Sequence, residues 1–144
     1  MNKLDLAMSY HDQGYNCAQA VALPFCEEMG LDAALVKKAT EGFGAGMGGR
    51  TQTCGALSGA IFVAGMLHAD AENPTSKMDT YKVCGALSER FVTHCGSGVC
   101  EVIKGMTGGE TLCSCNECIA CGVKLVEEFI QRNAEESDAF PTGT

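Results

Sequence analysis

The chain has 144 residues, ten cysteines, 18 glycines, three prolines and no tryptophan, with a formal charge of −8. That length suits one domain with its own core. The negative balance argues against nucleic acid and anionic membrane as partners, and no run approaches the roughly 18–20 apolar residues of a membrane span. The opening MNKLDLAMSYHDQGYN lacks the apolar core of a signal peptide, so a reducing, cytoplasmic setting is expected. Dense cysteine there points to metal or redox chemistry more than to structural disulfides.

In chain order, Leu4, Met8 and His11 fall at helical spacing, and a first helix is expected to end near Gly14. Asn16 is placed to cap a second helix with Cys17 in its first turn and Ala20, Val21 and Phe25 on one face. Pro24 should interrupt that helix and Gly30 stop it. Asp32 is a cap for a third helix through Val36 and Ala39. Five glycines in the nine residues Gly42–Arg50 then rule out regular helix or strand.

Thr53 is the expected cap of a long apolar helix beginning CGALSGA, ended by the Asn73-Pro74 turn. Ser76 opens another helix reaching Cys95 and Gly96, with Met78, Tyr81, Leu87 and Phe91 as its core stripe. A short helix around Cys100, a loop MTGGET and a final amphipathic helix from Cys115 complete the pattern. The expectation is an all-α bundle of six or seven helices, one domain over residues 1–134, with a solvated tail at 135–144.

The pentapeptide CGALS occurs twice, at Cys54–Ser58 and Cys84–Ser88. The first copy follows the glycine loop at a helix N-terminus, where the dipole and free amides favour a thiolate over the ordinary thiol of pKa ~8.5. The second lies inside a helix, where Cys84 reads as a small apolar packing residue. The glycine loop lacks the Gly-Lys-Ser/Thr of a phosphate loop.

Cys113, Cys115, Cys118 and Cys121 form a C-x-C-x2-C-x2-C run, a spacing similar to those that hold iron–sulfur clusters or zinc. On a helix, Cys115, Cys118 and Cys121 share one side but rise about 4.5 Å per step, so one segment presents only one or two thiolates well to a cluster. Remaining ligands are expected from Cys17, Cys54 or Cys100. His11, His68 and His94 are dispersed, and no C-x-x-C-H site for covalent haem is present.

The combination of Asn16-Cys17-Ala-Gln-Ala, ATEGFGAGMGGRTQTCGALSGA, CGSGVCEVIKG and cysteines ahead of LVEEF resembles the C_GCAxxG_C_C family of redox-active proteins. Its motif is matched in full by Cys54–Gly59, whereas the second copy carries Glu89 in place of the closing glycine. The resemblance spans about Tyr15 to Glu128 and implies Cys17, Cys54, Cys100 and either Cys115 or Cys118 as the functional set. It further implies kinship with the cluster-bearing part of split-Soret cytochromes, hence an iron–sulfur centre, two-iron two-sulfur first among the options, without haem. Amides of the glycine loop would then donate to cluster sulfurs. A redox partner protein is implied, and the small-residue face of Gly55 and Gly59 would also suit a homodimer. Two other readings stay open: a metal-free dithiol protein with Cys54 as nucleophile and Cys17 or Cys100 resolving, and a zinc-binding module. Cys26, Cys84, Cys95, Cys113 and Cys121 receive no role.

Overall fold

Capping chemistry sets the helix boundaries in the computed structural model, which describes residues 1–139. Asn2 accepts from the Asp5 amide at 2.7 Å and starts α1, Lys3–Asp12. Asn16 and Gln19 close a reciprocal capping box, each side chain accepting from the other's amide at 3.0 and 2.9 Å. Helix α2, Cys17–Ala22, therefore begins on Cys17. Pro24 tightens the chain into a 3-10 turn, Leu23–Phe25, followed by one helical turn, Cys26–Met29, which Gly30 ends at φ +69°. Asp32 accepts from the Leu35 amide at 2.8 Å and caps α3, Ala33–Glu41.

The later helices are α4 (Gly55–His68), α5 (Ser76–Cys95), α6 (Cys100–Ile103) and α7 (Cys115–Ala139). Gly96 closes α5 at φ +87°, and Ser114 Oγ accepts from the Glu117 amide at 3.1 Å to open α7. With Cys17–Met29 taken as one interrupted helix and the single turn Gly44–Met47, which contains left-handed residues, set aside, seven helices stand among the described residues, and the expected all-α class holds. One isolated antiparallel bridge, Thr53 with Val99, joins two loops. Of the expected tail, the stretch to Ala139 continues α7, and residues 140–144 lie outside the described residues. No helix among the described residues is long and apolar enough to cross a membrane.

Helices α2, α4 and α7 pack against one another at the centre, burying Val21, Phe25, Val63, Ile119, Val123 and Val126 completely or nearly so. Their approach depends on missing side chains. A Cβ at Gly59 would lie 2.6 Å from the Ala18 carbonyl oxygen, and one at Gly122 would lie 2.9 Å from that of Ala56. The small-residue face of α4 is thus used within the chain, against α2.

Helix α5 packs on α4 and α7 through Leu87, Phe91 and Cys95. Its first turns do not follow the expected stripe: Met78 and Tyr81 are 58% and 63% exposed. Twenty residues of helix span about 30 Å, more than the central packing face covers, so the N-terminal part runs past the core.

Candidate metal centre

The glycine loop makes a left-handed turn. Ala45, Gly46 and Met47 have φ of 52°, 57° and 64°, followed by Gly48 at 88° and Arg50 at 66°. Left-handed backbone costs a non-glycine residue roughly 1–2 kcal/mol. Here the turn presses against Cys100, since a Cβ at Gly46 would meet Cys100 Cβ at 2.5 Å and Sγ at 3.4 Å. The loop amides of Gly48, Arg50 and Gln52 donate back within the loop, to Gly44, Ala45 and Gly46. Close approach is what these glycines provide.

Beyond the turn, the chain pairs with the segment before α6. The Glu101 amide donates to Arg50 at 2.8 Å, Cys100 to Gln52 at 2.8 Å, and Cys54 to Gly98 at 2.7 Å. This short ladder sets Cys54 and Cys100 side by side. It also takes Thr53 into the bridge with Val99, so the residue at the N-cap of α4 is Cys54 and not Thr53. Gly55 completes the arrangement, because a Cβ there would sit 3.3 Å from Cys17 Cβ and 3.2 Å from the Ala18 amide nitrogen.

Four elements thereby bring thiols together. Cys17 faces Cys115 and lies near Cys54; burial, then Cys115 and Cys54, push its thiol up to about 12. Cys54 goes the opposite way. A hydrogen bond from the Cys118 thiol outweighs burial and, with the amides of Ala56 and Leu57 and the charge of Lys104, lowers it to about 6. No side chain closes a regular cap on α4, but those amides lie close enough to the sulfur to favour its thiolate. Cys118, the donor, is pushed upward by that bond and by burial. Cys100 is raised by burial and by Cys54, against the pull of Lys104 and Arg50. Cys54, Cys100 and Cys118 are buried, whereas Cys17 and Cys115 are half-buried at the edge.

Lys104 carried no sequence signal, yet its ammonium sits among these sulfurs. Nζ is buried and makes no regular hydrogen bond. Burial pulls it down, but the facing Cys115 sulfur and the neighbouring Cys118 and Cys54 outweigh this, and the net direction is up. A buried cation that lacks a hydrogen-bond partner and has cysteine sulfurs for neighbours requires negative charge at this point.

A second group adjoins the first. The sulfurs of Cys95, Cys113 and Cys118 all lie within 4.8 Å of one another, and the Cys113 thiol donates to Cys95 at 3.4 Å. Cys95 is raised by burial and by Cys113. Cys26 and Cys84 stand outside both groups, each half-buried and each raised chiefly by burial.

The donor set suits soft or borderline metals, and the trapped ammonium suits an anionic metal–thiolate centre. Searches of curated proteins and of solved structures returned no match. The family model described as "Putative redox-active protein (C_GCAxxG_C_C)" matches residues 15–129, a stretch that holds both CGALS copies, every clustered thiol and Lys104. The chain belongs to the C_GCAxxG_C_C family.

Proposed function

We propose that this chain holds an iron–sulfur cluster through the thiolates of Cys17, Cys54, Cys100 and Cys115, with Cys118 the other candidate for the fourth position, and acts as an electron carrier or redox sensor. The observation that carries the reading is the meeting of thiols from separate elements around the orphaned Lys104 ammonium. Four thiolates from one helix could not close on a centre, whereas thiolates from the starts of α2, α4, α6 and α7 can.

When bound, such a cluster supplies a one-electron couple whose potential is set by charge, hydrogen bonds and exposure. The residues divide the remaining work. Cys54 offers a thiolate favoured first by the Cys118 thiol and then by the first-turn amides of α4. Cys100, under the glycine turn, excludes water on the buried side. Cys17 and Cys115 leave an edge partly open, through which a redox partner protein would exchange electrons. Four cysteines serve two-iron and four-iron clusters alike; the two-iron two-sulfur type is preferred on the kinship with split-Soret cytochromes that the family resemblance implies. A cytoplasmic setting suits free thiols, and a homodimer would have to form on surfaces other than Gly55 and Gly59.

The test is protein purified without air and supplied with iron and sulfide. Visible charge-transfer bands, with about two irons and two acid-labile sulfides per chain, are expected. Colourless protein with trace iron would overturn the reading. Lys104→Met should shift the reduction potential downward, because a cation beside the centre favours its more negative, reduced form; voltammetry of the two proteins measures this. A metal-free dithiol reading draws on the Cys54 sulfur facing Cys118 and predicts a Cys54 disulfide in mildly oxidised, iron-free protein.

A further inference from the structure

We propose a second metal site, in which Cys95, Cys113, Cys118 and Cys121 hold one zinc-type divalent cation as a closed tetrathiolate. All four side chains are buried, and they come from the last residue of α5, the loop before α7, and two successive turns of α7. Zinc–sulfur bonds of about 2.3 Å give a tetrahedron with sulfur–sulfur edges of about 3.8 Å. The observed spacings bracket that edge, from 3.4 Å between Cys95 and Cys113 to 4.8 Å at most among Cys95, Cys113 and Cys118. Cys121 lies outside that 4.8 Å group; its thiol neighbours Cys95, from where it would move in as the fourth ligand.

Buried cysteines often serve as small apolar residues, and two features set this group apart. The sulfurs of Cys95, Cys113 and Cys118 gather within 4.8 Å of one another inside the core. The backbone around Cys113 is also fixed from both sides: the Leu112 amide donates to Ile103 at 2.8 Å, and a Cβ on Gly96 would touch Leu112 Cδ1 at 3.0 Å. Cys113 is thereby pinned against the end of α5.

Each thiol gives up its proton as its metal–sulfur bond forms. The resulting anionic centre has Lys124 near Cys121 and Lys104 near Cys118 as compensating cations. The cation would tie α5 and α7 across residues 96–114, the segment that carries Cys100 and Lys104. Commitment of Cys118 here leaves Cys115 as the fourth thiolate beside Cys17, Cys54 and Cys100.

The experiment uses full-length chain purified without air, with zinc, iron and sulfide measured on the same samples. Wild-type protein should carry one zinc per chain, with X-ray absorption showing four sulfurs at about 2.3 Å. Cys17→Ser/Cys100→Ser protein should lose iron, keep zinc, and on exchange give the visible bands of a tetrahedral cobalt thiolate. Cys95→Ser/Cys113→Ser protein should lose zinc. The spectrum of wild type and the cobalt bands decide the matter even where this last variant fails to fold. Absence of zinc and of cobalt bands, zinc that disappears with Cys17 and Cys100, or a Cys95–Cys113 disulfide in air-free protein would each overturn the proposal. Wild-type protein that carries zinc but no iron or sulfide would count against the iron–sulfur reading and leave this one standing.

Discussion

Cys54–Ser58 and Cys84–Ser88 are the same five residues in two surroundings. In the first, Cys54 is 1% exposed at the N-cap of α4, and the preceding residues are clamped to the strand-like segment before α6. Gly55 and Gly59 lie against the backbone of Ala18. In the second copy, Cys84 sits inside α5, half-buried, with burial alone acting on its thiol, and a Cβ on Gly85 would find nothing within 4 Å. The chemistry therefore belongs to the helix terminus and to the contacts of the two glycines. The pentapeptide is only its vehicle.

Substitutions that exchange these surroundings test the comparison. Gly59→Ala should have the largest effect on stability. Alanine favours helix by about 1 kcal/mol, but its Cβ would meet backbone atoms of Ala18 at 2.6 to 3.2 Å, which cannot swing aside. A net loss of about 1–3 kcal/mol is expected in chemical denaturation, with reduced iron uptake as α2 is pushed off α4. Glu89→Gly completes the motif in the second copy. It should cost about 1 kcal/mol as a glycine in a helix interior and add no iron; a gain of iron would mean the motif acts without its surroundings. Gly85→Ala should raise stability by about 0.4–1 kcal/mol, the opposite sign from Gly59→Ala.

Features governed by neighbouring residues were legible in the sequence. Asn16, Asp32, Gly30 and Gly96 act over one turn, and the helix boundaries they imply are the observed ones. Features that depend on distant partners were not. The Thr53–Val99 bridge involves too few residues for an alternating pattern, and it displaced Thr53 from the cap. Met78 and Tyr81 have the right periodicity for a core face, but periodicity does not say how far along a helix the core extends. At the candidate centre, the motif pointed to Cys17, Cys54 and Cys100. The ammonium of Lys104 and the pairing of Cys95 with Cys113 arise only when loops separated in sequence are folded together.

The most direct measurement is the visible absorption spectrum, with iron and sulfide content, of Cys54→Ser and Cys84→Ser proteins reconstituted side by side without air. The account predicts that Cys84→Ser keeps the bands and iron of the unaltered chain and that Cys54→Ser loses both. Equal spectra from the two variants, whether both coloured or both colourless, would contradict it.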